Sequence, residues 1–370
     1  MLVSDGIADA ITASARGRRL IPESHQTLPI EKNSSKSEQS PSRRPRTLEE
    51  IIISQLKTLR THYHAVLTTE SVDAVHKMRV TTRRLQASLD LLERAMKVRP
   101  LKRRLRRWRR KLSTVRNLDV FLEMLANEAE IRGRTRREQL NLIKAILYDR
   151  RLARSTKVKQ YLQKQDVNSV ADALGLLSSE APDVSSSTSI ESNTTDGLPV
   201  ISGTLEFDLS VVTNYAADRI EQRLMEFQTL AAQSHPTNNP TELHQLRIAA
   251  KRVRYLLEIV SEMGYGDASR SLVWLRTLQD RIGDWHDLEA LEEEIITIVS
   301  GGEFMKQNLS ESGRMLQAAA HLQKKKERLV ARLFPVKVPQ YISATCQRTA
   351  RSLRRTGVRK NLRIVETTRA

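Results

Sequence analysis

Cysteine is almost absent from this chain of 370 residues, because Cys346 is the single thiol. One cysteine excludes an intrachain disulfide and a zinc site built from several thiolates. No apolar run reaches the roughly 18 residues that a membrane-spanning helix needs, and the first twenty residues lack the pattern of a secretory signal. We therefore expect a soluble, cytoplasmic protein.

Aromatic residues are also scarce, at 4% of the chain, and only 13 glycines and 11 prolines occur. Sheet-rich folds usually contain many aromatic residues and many turns, so this composition favours helices packed through leucine, isoleucine, valine and alanine. The hydrophobic fraction of 39% is low but sufficient for a core if the polar segments lie outside it.

Acidic residues are outnumbered, with 43 Asp and Glu against 62 Lys and Arg, which gives a formal net charge of +19. A charge of this size says little about the fold but much about partners. It attracts nucleic acid, phosphate polymers or an acidic membrane surface.

Polar segments divide the chain into five parts. Residues 1–46 form a basic tail expected to be disordered, 47–166 a first helical bundle and 167–206 a Ser/Thr-rich linker. Residues 207–333 form a second bundle, and 334–370 a basic C-terminal tail with a short helix near 341–355. Helices are predicted over 47–68, 71–97, 100–130, 134–165, 208–234, 241–263, 267–299 and 306–333. Eight helices joined by short turns predict an all-α fold of two antiparallel four-helix bundles.

A repeat links the two halves. The stretch VHKMRVTTRRL at 75–85 returns as LHQLRIAAKRV at 243–253, with a constant offset of 168. The matched pairs are His76 with His244, Arg79 with Arg247, Arg83 with Lys251 and Arg84 with Arg252. The third helices match at an offset of 170, which pairs Arg106 with Arg276 and Arg116 with His286. Such self-similarity predicts an internal duplication, with a pseudo-twofold axis between the halves.

Helical spacing predicts where these cations point. In the second copy, His244, Arg247, Lys251 and Arg254 follow one another at three, four and three residues, beside an apolar stripe that starts at Leu243. Cations at the border of a core can lay their stems on it and direct their heads into a groove. A merely solvated surface is the alternative, but such a face usually alternates Lys or Arg with Glu.

The histidines allow three interpretations. Each could be a buried structural residue, a metal ligand or a phosphate contact. The sequence around His76 and His244 lacks a second ligand at suitable spacing, so we expect no metal. Imidazole can donate a hydrogen bond to a phosphate, whose charge would raise the pKa of the ring.

Signatures of catalysis on phosphates or esters are missing from the sequence. It contains no P-loop, no GxSxG elbow and no ExExK acidic triad. We therefore expect a protein that is not an enzyme and that needs no cofactor.

The duplicated His-x-x-Arg helix, with VRNLD after the first copy and LQDRIGDWHD after the second, resembles the conserved histidine α-helical domain, or CHAD, family. The resemblance covers residues 47–333. It implies two bundles around a basic groove or pore that binds inorganic polyphosphate, and association with polyphosphate granules. By this resemblance and the helical spacing, the expected binding residues are His76, Arg79, Arg83, Arg84, Arg106, Arg116, His244, Arg247, Lys251, Arg252, Arg254 and Arg276. Ser113 and Asn117 depart from the family's Gly and Asp at an expected turn.

Three functions remain open from the sequence. The first is binding of polyphosphate without chemistry. The second is nonspecific binding of nucleic acid, although a chain poor in aromatic residues has little with which to stack bases. The third is an enzyme acting on phosphate chains, which would need a metal or a base that the sequence does not offer. The sequence does not predict an oligomeric state.

Overall fold

The structure, a computed structural model, describes residues 44–69, 71–131, 134–178, 200–201, 204–234 and 240–367. Its helices in the first half are α1 (Leu48–Thr68), α2 (Val72–Leu91), α3 (Arg99–Ile131), α4 (Arg134–Gln163) and the short α5 (Ser169–Asp172). Two-residue strands follow, β1 (Leu177–Ser178) and β2 (Val200–Ile201). The second half contains α6 (Leu209–Gln233), α7 (Pro240–Glu262), α8 (Ser269–Ser300), α9 (Gly302–Gln307), α10 (Leu309–Leu333) and α11 (Gln340–Thr367). The predicted all-α class is confirmed.

Helix α1 begins where its sequence predicts. The Thr47 hydroxyl accepts a hydrogen bond from the Glu50 amide at 3.1 Å, and the Glu50 carboxylate accepts one from the Thr47 amide at 2.9 Å. This capping box satisfies two amides that have no partner within the helix. The predicted helix bounds are within two residues of the observed ones at most other ends.

Helix α2 ends at Leu91, six residues before the predicted end at 97. Residues 92–96 form a tight turn, in which the Met96 amide donates to the Leu92 carbonyl at 2.8 Å. Lys102 on α3 reaches back to Asp90 and Glu93, which ties the turn to the next helix. The sequence here carries no glycine or proline before Pro100, so nothing local marks the early end.

Neighbouring helices pack in sequence within each half, α1 on α2, α2 on α3 and α3 on α4, then α6 on α7 and α7 on α8. Contacts that join the halves include those of α2 with α7, α3 with α8 and α4 with α10. The larger core draws on both halves and includes Met78, Leu105, Leu246 and Ile282. A smaller core lies between the later parts of α3 and α8 and helices α4 and α10. The two repeated helices, α2 and α7, therefore face one another.

The predicted linker, 167–206, is anchored to the body at both ends. Strands β1 and β2 pair antiparallel with Leu177 opposite Ile201, and Ile201 is buried. The Leu205 amide donates to the Glu49 carboxylate at 3.0 Å. These contacts make both ends of the predicted linker part of the folded body. The Ser/Thr-rich centre, 179–199, lies outside the described residues.

The predicted C-terminal tail, 334–370, is instead mostly helix. Helix α11 packs along α6 and buries Ile342, Cys346, Ala350 and Leu353. These residues recur every three or four positions and form an apolar stripe within a basic segment. Burial raises the pKa of the Cys346 thiol to about 12. The short helix predicted at 341–355 was therefore too short, and the segment is part of the fold.

Ser113 and Asn117 lie in the middle of α3, which continues without a break to Ile131. The expected turn at this position is therefore not present. Among the described residues, no helix is long and apolar enough to cross a membrane.

Candidate functional site: a cationic cluster between the two repeated helices

Four of the predicted cations come together where α2 meets α7. Arg79 and Arg83 lie one turn apart on α2, and Arg247 and Lys251 lie one turn apart on α7. The charge of Arg83 acts on both Arg247 and Lys251, and that of Arg79 acts on Lys251. We call these four residues the cationic cluster. The repeat thus places cations of both halves in one site.

Helix α3 adds two further cations. Arg116, which the sequence predicts, lies close enough to Arg79 for its charge to act on it. Arg109 was not predicted, and its guanidinium donates to the Gln86 side chain at 2.7 Å. Burial, followed by the charges of Arg83 and Arg106, lowers the pKa of Arg109. Arg106 itself is exposed at the edge of this group.

The electrostatics of the cluster are unfavourable in the free protein. Burial, followed by the charges of Arg247, Arg83, Arg79 and Arg254, lowers the pKa of Lys251 to about 6. The pKa of Arg79 falls to about 9, again mainly because of burial. Desolvation and like charges both disfavour the charged form of a base. An anion bound here would offset both effects through its negative charge.

Two guanidinium nitrogens in the cluster lack a hydrogen-bond acceptor. The Nε atoms of Arg79 and Arg247 are both buried and have no partner within the described part of the chain. A buried donor without an acceptor costs about 1–3 kcal/mol. Two such donors on facing helices form a preorganised site for the oxygens of an anion.

Carboxylates on α8 partly offset the positive charge. Burial lowers the pKa of Arg247, whereas the charges of Asp287, Asp280 and Asp284 oppose that effect. Asp287 also acts on Arg79. The charge of the site is therefore unevenly distributed, with arginines on the α3 side and carboxylates on the α8 side.

The two predicted histidines differ in their surroundings. The ring of His244 stacks on that of His286, with centroids 5.3 Å apart and planes at 30°. Burial, followed by the charges of His286, Lys251 and Arg247, lowers the pKa of His244. The Nδ1 atom of His286 lies 3.7 Å from the Asp287 carboxylate. His76, in contrast, is an exposed residue of α2.

The other predicted residues lie beside the cluster or away from it. Arg252 is exposed and pairs with Glu226 on α6 at 2.6 Å. Arg254 covers the ring of Tyr255 at 4.6 Å and lies 3.8 Å from Glu258. Arg276 donates to the same Glu258 at 3.2 Å, and both residues line a cleft together with Arg84.

Most of the helices that form this site match a known protein family. The model of the CHAD domain family matches residues 50–295, about two thirds of the chain. This protein belongs to the CHAD family. The match includes the repeated helices α2 and α7 and most of α8, and ends before α10 and α11.

Solved structures include two similar proteins. The CHAD domain from the plant Ricinus communis is 20% identical over 82% of this chain and 90% of its own, with a TM-score of 0.47. PptA from Streptomyces chartreusis is 15% identical over 77% of this chain and 96% of its own, with a TM-score of 0.50. At these identities the likeness concerns the fold. No curated protein matches the sequence.

Within the part of this CHAD domain that the structure describes, no three metal-ligating side chains are grouped. Asp287 and His286 are close to one another, and the nearby cations of the cluster include Arg247. The chemistry offered at the cluster is therefore hydrogen-bond donation and positive charge.

Proposed function

We propose that this CHAD domain binds inorganic polyphosphate in the cationic cluster and does not change it chemically. The observation that carries the proposal is the meeting of Arg79 and Arg83 with Arg247 and Lys251 across the two halves of the chain. Four basic groups so close to one another disfavour each other's charged forms in the free protein, and a polyanion removes that cost.

The buried donors of the cluster that lack an acceptor favour a ligand with many anionic oxygens. The Nε donors of Arg79 and Arg247 have no acceptor in the described part of the free protein. Guanidinium groups form strong, directed hydrogen bonds to phosphate oxygens. Polyphosphate presents such oxygens at every unit and carries no base that would need an aromatic platform.

The proposal is tested by removing two cluster charges and by removing two charges elsewhere. Arg79→Gln with Arg247→Gln should weaken binding of long-chain polyphosphate by about a hundredfold or more, since each of the two lost charged hydrogen bonds contributes roughly 1.5–3 kcal/mol. The matched control is Arg219→Gln with Arg351→Gln, a half-buried arginine on α6 and an exposed arginine on α11. Equal losses in both double variants would contradict the proposal.

Nonspecific nucleic-acid binding is the second candidate, because the net charge of +19 attracts any polyanion. It predicts that duplex DNA competes with polyphosphate at equal phosphate concentration. A phosphate-chain hydrolase is a third candidate, and it predicts release of orthophosphate by the purified protein with Mg²⁺ or Mn²⁺.

We also propose a cellular location for the protein. If it binds polyphosphate in the cytoplasm, it should collect on polyphosphate granules wherever a cell forms them. A fluorescent fusion that loses this localisation when Arg79 and Arg247 are replaced would support the proposal.

A further inference from the structure

A cleft of about 540 Å³ is lined by residues of both repeated helices, among them Arg84 on α2 and Tyr255 and Glu258 on α7. Its walls come from α1, α2, α7 and the start of α8, and the segment at residues 44–46 closes one side. The lining is mostly polar and includes the hydroxyls of Ser54 and Thr58 together with Arg84 and Arg276. The cleft is therefore suited to a charged ligand.

Glu258 pairs with one arginine of this cleft and lies near a second arginine on its own helix. Its carboxylate lies 3.2 Å from the Arg276 guanidinium on α8 and 3.8 Å from Nε of Arg254 on its own helix. The Glu258 side chain is only 17% exposed. One acidic group thus lies between two cations from different helices.

The cationic face of α7 leads directly to Glu258. Arg247, Lys251, Arg254 and Glu258 follow one another at intervals of four, three and four residues, which places them on one face. The charge of Arg254 acts on Lys251, and Tyr255, which lines the cleft, acts on Arg109. The row of cations on α7 therefore ends at Glu258, a carboxylate that lines the cleft.

Arg254 carries a further sign of an incomplete site. Its Nε atom is buried and has no hydrogen-bond acceptor in the described chain, since Glu258 is too far away at 3.8 Å. This donor resembles the Nε atoms of Arg79 and Arg247 in the cluster. An oxygen placed between Arg254 and Arg276 would satisfy it, and Glu258 only partly fills that place.

We propose that this cleft is a second phosphate-binding subsite and that the carboxylate of Glu258 occupies it until a long polyphosphate chain displaces it. The chain would enter from the cluster, pass Arg254 and reach Arg276 and Arg84. This inference rests on the proposed function, because the first part of the chain must be held by the cluster. Glu258 would then favour chains long enough to reach the cleft over short ones.

The test compares Glu258→Gln with Glu226→Gln. Glu226 makes a matched control because it also holds two arginines, Arg223 and Arg252, but lies on α6 away from the cleft. The probes are tripolyphosphate, which is too short to span both subsites, and long-chain polyphosphate. Glu258→Gln should raise the affinity for the long chain by about two- to fivefold, the usual effect of one partly exposed ion pair. On the affinity for tripolyphosphate, Glu258→Gln and Glu226→Gln should have the same effect.

The outcomes separate the two proposals. If the wild-type protein binds long-chain polyphosphate and the two variants behave alike on both probes, the cleft is not a subsite, although the cluster still binds. If Glu258→Gln strengthens both probes equally, the effect is one of general charge, and the subsite is again wrong. If the wild-type protein binds neither probe, the proposed function fails and the subsite fails with it.

A second substitution tests which arginine produces the increase in long-chain affinity. Adding Arg276→Gln to Glu258→Gln should remove most of the increase in long-chain affinity, since Arg276 is one of the two cations that the carboxylate releases. Adding Arg281→Gln, an exposed arginine of the same helix, should not. Similar losses from both additions would contradict the subsite.

Discussion

The guanidinium of Arg247 lies directly against the backbone of Gly283. A Cβ atom at position 283 would be 2.9 Å from Nη2 of Arg247, closer than real Cβ atoms come to a neighbour. Gly283 is buried in the middle of α8, where glycine costs roughly 0.8–1 kcal/mol relative to alanine. The absence of a side chain at Gly283 therefore makes room for the Arg247 guanidinium.

Gly283→Ala separates binding from stability. The added methyl group displaces the end of a flexible side chain rather than backbone, and alanine favours the helix. We expect thermal stability to stay equal or rise, while polyphosphate affinity falls by about tenfold, the equivalent of one charged hydrogen bond. Calorimetry and a binding titration on the same sample check this. A loss of stability with affinity unchanged would contradict it.

Polyphosphate affinity should depend on pH through Lys251. In the free protein this amine has a pKa of about 6 and is mostly neutral at pH 8. A bound polyanion raises that pKa, so binding takes up a proton and affinity should rise as pH falls from 8 towards 6. The long polymer is the right probe, because its internal phosphates stay ionised over this range.

Lys251→Arg provides the control, because its guanidinium is more strongly basic than the amine it replaces. The slope of affinity against pH should be smaller in this variant. The slope that remains comes from His244, whose pKa is also lowered. An unchanged slope would show that Lys251 is not the group that takes up the proton.

Lys251 should also lower the stability of the free protein. Its pKa is about 6 when folded and near 10.5 when unfolded. The unfolded chain therefore binds more protons between these values, and stability should rise with pH over that window. Lys251→Met should raise the free energy of unfolding at pH 7 by about 1–3 kcal/mol, since single substitutions usually act on this scale. A destabilised variant would contradict this account.

A buried ion pair holds α4 to α3 next to the cluster. Nε of Arg151 lies 2.6 Å from the Asp119 carboxylate, whose side chain is 0% exposed. Burial raises the pKa of Asp119, and Arg151 opposes this effect. Arg151→Met should cost about 3–5 kcal/mol at pH 7, because it leaves a buried charge without a partner.

The loss should shrink towards pH 5, since Asp119 without Arg151 binds a proton more readily in the folded state. Arg150→Met is the control, because Arg150 is 35% exposed in its pair with Glu294 and should cost no more than about 1 kcal/mol. Denaturant unfolding measures both losses of stability. Equal losses in Arg151→Met and Arg150→Met would show that the buried pair contributes no more than the exposed one.

The sequence predicts the helices well because caps, breaks and apolar stripes are local signals. It also predicts the meeting of Arg79 and Arg83 with Arg247 and Lys251, because the repeat marks equivalent positions on two helices. The duplication that suggested this pairing stays a prediction. The match of Arg84 with Arg252 was less informative, since residues next to one another on a helix point about 100° apart.

Other features depend on packing that no local pattern reveals. The stacking of His244 on His286 requires α7 to lie against α8, and Arg109 was hidden among many other cations of α3. Its spacing of two helical turns from Arg116 was the signal that could have found it. Helix α11 is longer than predicted and belongs to the core, because its basic composition conceals the stripe that begins at Ile342.

The most direct test of the central claim is a competition titration. Labelled long-chain polyphosphate is bound near 0.15 M salt, where the Debye length is about 8 Å, and duplex DNA is added at increasing phosphate concentration. The account predicts tight binding that an equal concentration of DNA phosphate barely displaces, because the cluster is a narrow site with fixed donors. Weak binding, or displacement by DNA at equal phosphate, would mean that the net charge acts as a diffuse attraction, and the cluster would not be a polyphosphate site.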